Sequence, residues 1–234
     1  MKKNSKILII LFALSIFLMS FIGNNKRSEK RSRAYSDGNF NVFVIPKGSM
    51  KFGVSKKKPV NSDFYINSNF FTKGNRPIGL VVINGKKTSN RVKGGGYFYV
   101  KNGTPYVRSK SCPPEVDHSS QTILWGIDNG VKNKRLFRTR NGQENVYRTI
   151  MGENKKGEIM IVSSNRTGLV TIKEIVDFAY SEGMVEGILL DGGSSVDYKF
   201  NDGNKKLILQ AVPSGIKSIL DIKEPTTYIY GNFN

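Results

Sequence analysis

Apolar residues in this 234-residue chain fall mainly in short runs, and glycine, asparagine or charged residues separate them. Such runs bounded by turn formers predict strands. The candidates are 41–46, 64–67, 78–83, 97–100, 105–107 and 122–127. Asn84-Gly85 closes the third run with a strong two-residue hairpin signal, and Asn102-Gly103 separates the fourth and fifth. Residues 108–121, with Cys112-Pro113-Pro114, read as an irregular loop. No internal repeat interrupts the pattern.

The period changes after Asn145. Residues 146–151 read as a strand, 152–157 as a turn and 158–162 as the returning strand. Thr171-Ile172-Lys173-Glu174 is a capping box, in which a hydroxyl and a carboxylate satisfy the free N–H groups at a helix start. Ile172, Ile175, Val176 and Ala179 then recur at helical spacing, and Gly183 is placed to end the helix. Residues 185–190 return to an apolar strand. The class expected is α+β: a strand-rich mixed sheet with few helices and one strand–helix–strand crossover near 158–190. If both strands join one sheet they are parallel, and the crossover is right-handed.

Ligands of such sheets bind beyond the carboxyl ends of the strands. Asp191 ends the second strand of the unit, and Ser163, Ser164, Asn165 and Arg166 end the first. Hairpin pairing sets Arg148 opposite residues 161–163. Arg148, Arg166 and Asp191 therefore converge on one sheet edge. The stretch Asp191-Gly192-Gly193-Ser194-Ser195 fits two readings. One is a tight turn capped by the aspartate. The other is a ligand site, in which bare glycine backbone and hydroxyls form an anion-binding nest, an arginine clamps phosphate, and the carboxyl serves as acid or base.

The N-terminus stands apart. Basic Met1–Lys6 precedes an apolar stretch over residues 7–22, and Lys26, Arg27, Lys30, Arg31 and Arg33 follow. Residues 1–23 read as a signal peptide or an uncleaved membrane anchor, 24–38 as a basic linker, and 39–234 as the folded domain. An extracytoplasmic domain is expected: secreted, periplasmic or membrane-anchored. The single cysteine excludes an intrachain disulfide.

Net charge is +19, of which +12 lies beyond Arg33. A solvated lysine-rich surface accounts for that, as does attraction to an anionic glycan or phosphate. Nucleic acid is not an expected partner, since no recognition helix or RNA-binding strand pattern occurs. The only histidine, His118, lies in a polar stretch and reads as solvated. One His and one Cys do not suit zinc. A divalent cation on Asp191, Asp197 and Asp202 stays open, and no phosphate-binding or dinucleotide loop is present.

Six segments in order carry a resemblance: INSNFF (66–71), RPIGLVVINGK (76–86), SSQTILWGIDNG (119–130), RTIMGENKKGEIMIV (148–162), GLVTIKEIVDFAYSEG (168–183) and ILLDGGSS (188–195). Together they resemble the phosphodiester glycosidase family. The resemblance implies an α+β hydrolase that frees a sugar from a sugar-1-phosphodiester, with an N-acetylglucosamine-type glycan or envelope polymer as substrate. It implies catalytic roles for Asp191 and Arg148. Asn67, Thr149, Arg166, Gly192, Gly193, Ser194 and Ser195 become substrate or phosphate contacts. The family has glycine before the arginine matched to Arg166, where this chain has Asn165. The competing expectation is a non-catalytic surface module that binds anionic glycan, because fold does not fix function.

Overall fold

The computed structural model describes residues 32–234, which form one compact unit. The signal or anchor segment, and most of the linker, lie outside the described residues. No helix among the described residues is long and apolar enough to cross a membrane.

Strands build three sheets. The largest has the order β1 (Arg33–Asp37), β2 (Phe40–Ile45), β13 (Ile159–Ser164), β12 (Thr149–Asn154), β14 (Met184–Leu189), β10 (Leu124–Asp128) and β11 (Val131–Lys132). The second runs β16 (Lys206–Gln210), β15 (Asp197–Asn201), β4 (Phe64–Asn67), β17 (Tyr228–Phe233) and β3 (Met50–Ser55). The third runs β6 (Lys86–Ser89), β5 (Val81–Ile83), β9 (His118–Thr122), β7 (Gly96–Lys101) and β8 (Thr104–Arg108). Three α-helices complete the described residues: α1 (Arg140–Gln143), α2 (Ile172–Ser181) and α3 (Ser214–Ile219).

Strand alternation explains why the runs of the large sheet are continuously apolar. Phe43, Ile45, Met151, Ile159, Ile161 and Ile188 face a core shared by all three sheets, with Phe52, Phe64, Phe98, Tyr198 and Phe200. Their neighbours Val42, Val44, Ile150, Met160 and Val162 face α2 instead. That helix buries Ile172, Ile175, Val176 and Ala179, and its capping box forms as expected: Thr171 accepts from the Glu174 N–H, and Glu174 accepts from that of Thr171.

Several expectations need correction. The sheets are not mixed, because every pairing of named strands is antiparallel. The strands flanking α2 both join the large sheet, and β12 lies between them and pairs antiparallel with each, so they run in the same direction without being neighbours. β12 pairs with β13 as a hairpin on one edge, and β14 takes its other edge. The last part of the segment read as linker is strand β1, an edge strand whose charged ends stay exposed and hide its pairing with β2.

The reading of His118 needs correction as well. It opens β9, is buried, and accepts the Val54 N–H at Nδ1, 3.3 Å away. Burial pushes its pKa below the ordinary histidine value. The strand His118–Thr122 is wholly buried yet entirely polar, so no hydrophobic signal marks it. Its side chains brace neighbouring loops: Gln121 alone bonds the Leu80 and Val92 N–H groups and the Val92 and Gly94 carbonyls.

Candidate active site

Asp191 follows directly on Leu190, beyond the end of β14, and its backbone is fixed on both sides. Its N–H donates to the Ser68 carbonyl at 2.9 Å. Its own carbonyl accepts from Asn67 Nδ2 at 2.8 Å. Asn67 Oδ1 takes the Asp197 N–H at 3.0 Å, so one side chain spans both ends of the loop. Asn67 is fully buried. Its polar groups position the loop, which differs from the substrate-orienting role expected for it.

Beneath it lies a polar cluster that the sequence pattern does not reveal. Ser68 Oγ pairs with Ser120 Oγ at 2.9 Å, and Thr227 donates to Asn69 Oδ1 at 2.8 Å. Asn69 also bonds Ser120 and the Gln121 carbonyl. All five of these residues are buried, and their mutual bonds remove most of the cost of burying polar groups.

The loop itself needs its glycines. A Cβ on Gly192 would lie 2.8 Å from the Tyr147 carbonyl, so only glycine fits. Gly193 has φ +62° and faces open space, which leaves the loop accessible above it. The expected anion nest is not formed by these amides. The Gly193 N–H donates to the Tyr147 carbonyl at 2.8 Å and is not free for an anion. Ser194 is exposed, while Ser195 is buried with its hydroxyl on Asp191.

Burial dominates the chemistry of Asp191 and pushes its pKa up to about 6; Ser195, the Gly192 N–H and the charge of Lys217 draw it back only in part. A carboxyl in that range carries a proton at mildly acidic pH and exchanges it near neutrality.

Arg148 comes to the same place. Its Cδ lies 3.8 Å from where a Gly192 Cβ would stand, and the residue is buried. The guanidinium bonds Asn141 through Oδ1 at 3.1 Å and through its carbonyl, and the Glu144 carbonyl at 3.1 Å. Its Nε is buried with no protein partner. The hairpin register puts Thr149 opposite Ser163 and so Arg148 beside Ser164, one residue beyond the expected range. Two backbone–side-chain bonds fix it there: Arg148 N–H to Ser164 Oγ, and Ser164 N–H to the Arg148 carbonyl.

The remaining candidates sit further back. Thr149 is fully buried with its hydroxyl 2.8 Å from Ser163, inside the sheet. Arg166 is exposed and lines a groove of about 410 Å³ with Asn41, Tyr198, Lys206 and Leu209. Its link to the loop is its carbonyl, which accepts the Tyr147 hydroxyl at 3.1 Å. The three aspartates do not converge: Lys58 holds the buried Asp197 at 2.7 Å, and Asp202 caps its own turn at the Asn204 and Lys205 amides. No cluster of three or more metal-ligating residues occurs among the described residues.

The candidate site is thus a part-buried aspartate on a glycine turn, set in a strand-rich α+β frame. The phosphodiester glycosidase family model matches residues 61–217, a span that holds Asn67, Arg148 and Asp191. This chain belongs to the phosphodiester glycosidase family and is an enzyme of that type. Among solved structures it is similar to the catalytic domain, auto-inhibited by its pro-peptide, of zebrafish N-acetylglucosamine-1-phosphodiester alpha-N-acetylglucosaminidase. The TM-score is 0.61 at 13% identity, over 87% of this chain and 82% of that one. A hypothetical protein from Synechocystis is similar with a TM-score of 0.54 at 13% identity, over 87% of this chain and 61% of that one. These two likenesses are of fold. No curated protein sequence matches.

Proposed function

We propose that this phosphodiester glycosidase acts outside the cytoplasm, freeing the sugar from a sugar-1-phosphodiester in an N-acetylglucosamine-type glycan or envelope polymer. The observation that carries the reading is Asp191, a carboxyl raised to about 6 on a loop open to solvent above Gly193. Cleavage of the anomeric C–O bond leaves a phosphate monoester, whose second pKa is about 6. An acid matched to its leaving group transfers a proton most effectively. Protonated Asp191 gives its proton to the bridging oxygen as the bond breaks, water adds to the anomeric carbon, and that water's proton passes to solvent.

The other assignments follow from this one. Arg148 contributes positive charge at the turn and shapes the 141–144 segment around it. Ser194, Ser195 and the open face of Gly193 border the substrate. Asn67 holds the loop, Thr149 braces the sheet beneath it, and Arg166 contacts the distal part of the glycan. A divalent cation, if used, would have to bind through Asp191 and substrate oxygens. Export and membrane attachment rest on the sequence of residues 1–23. The test is release of free sugar from an N-acetylglucosamine-1-phosphodiester by the wild type, with and without chelator, beside Asp191→Asn. No release by the wild type, with retained binding of anionic glycan, would replace the hydrolase by a binding module.

A further inference from the structure

Helix α3 is inside out. It leaves Ile216 and Ile219, with Leu220 just beyond its end, exposed at 47%, 83% and 62%. Between them it buries Lys217, whose side chain is 1% exposed. Apolar burial alone would choose the opposite face, and a lysine is almost never fully buried unless paired. The pairing here is weak. Lys217 Nζ lies 3.1 Å from Glu224 Oε2, and the Glu224 side chain is 46% exposed, so water screens the pair. An ammonium also has three donors to satisfy.

The segment carrying α3 is tied to the Asp191 loop at both ends. Ala211 N–H donates to the Val196 carbonyl, and the Thr227 carbonyl accepts from Ser68, the residue whose own carbonyl holds the Asp191 N–H. The helix therefore lies between two anchors on the residues that flank and hold Asp191, and Lys217 is its one buried residue. The charge is felt at Asp191, whose carboxyl it draws down. The other groups at that carboxyl are Ser195 and the Gly192 N–H, with Arg148 beyond Gly192.

We propose that Lys217 is the cation that holds the substrate's phosphodiester beside Asp191, and that Glu224 occupies its place until substrate arrives. The idea rests on the sugar-phosphodiester reading above. There the acid must come within about 3 Å of the bridging oxygen, so the phosphorus bonded to that oxygen lies next to Asp191. Arg148 is less free to serve, because Asn141 and Glu144 already engage both of its terminal nitrogens. Glu224, half in solvent on the chain that follows α3, is the displaceable partner, and its carboxylate oxygen stands in for a phosphate oxygen.

The test is binding of inorganic phosphate to the full chain at low ionic strength, measured by calorimetry at neutral pH, with no turnover required. Lys217→Met should weaken binding on the order of tenfold or more, the worth of a charge-assisted bond, while Lys217→Arg keeps most of it. Glu224→Gln should tighten binding severalfold, because the competing anion is gone. Unchanged phosphate affinity in Lys217→Met, or weaker binding in Glu224→Gln, would overturn the assignment, as would no phosphate binding by the wild type. If Lys217→Met does not fold, Glu224→Gln decides alone. Phosphate held through Lys217 with no sugar released would sink the hydrolase reading and leave this one standing.

Discussion

Asn67 Nδ2 donates to the main-chain carbonyl of Asp191 at 2.8 Å, while Oδ1 of the same side chain accepts the Asp197 N–H at 3.0 Å. One buried amide thus sets the position of a reactive carboxyl through its backbone. Asn67→Ala would leave a buried carbonyl and a buried N–H without partners. It should cost about 2–4 kcal/mol of stability. Turnover should fall more than substrate affinity, because the loop loses its position and keeps its chemistry. Denaturant titration and a kcat against KM comparison check both effects.

The charge state of Asp191 sets the pH dependence of stability. Its folded value of about 6 lies above its ordinary value of 3.8, so the folded protein holds that proton more tightly than the unfolded chain does. The stability this gives is full below about pH 4 and is lost as pH rises through about 6. Asp191→Asn removes the dependence. It should be more stable than wild type at pH 7 by about 1–3 kcal/mol, with the gap closing below pH 4. Thermal unfolding of the two proteins across that range is the measurement, and equal pH slopes would contradict the assignment.

Arg148 is as much a brace as a charge. Its terminal nitrogens bond Asn141 and Glu144 together, and a lysine has no fork to reproduce that. Arg148→Lys should lose about 1–3 kcal/mol of stability and raise KM. Hydrogen exchange should quicken first at residues 139–144.

Thr149 supplies a contrast. Its hydroxyl meets only Ser163, inside the sheet. Thr149→Val should cost about 1 kcal/mol and leave kcat and KM near wild type. A large loss of activity would return Thr149 to the site.

Local rules made much of this legible. The α2 capping box and its four buried positions follow the pattern of residues 171–179. Asn84-Gly85 and Asn102-Gly103 both take positive φ, as two-residue hairpins require. Asp191 ends its strand because the apolar run stops there. What stayed hidden depends on contacts distant in sequence. Strand β9 is polar because its side chains bond loops on both sides, so it carries no strand period. Lys217 looks like any other lysine of a basic chain, and its burial depends on how the segment around it folds. The apolar Ile216, Ile219 and Leu220 around it were the available signal. Arg166 failed to join Arg148 because the turn after β13 carries its side chain toward Tyr198 and Lys206.

The central claim is that Asp191 acts as the proton donor to a leaving phosphate. The most direct test is kcat/KM for an N-acetylglucosamine-1-phosphodiester between pH 4 and 8, for wild type and Asp191→Asn. Wild-type activity should fall as pH rises through about 6, where the carboxyl loses its proton, and Asp191→Asn should be slower on the order of a hundredfold or more at pH 5. Wild-type turnover in the Asp191→Asn protein, or activity that rises through pH 6, would contradict it.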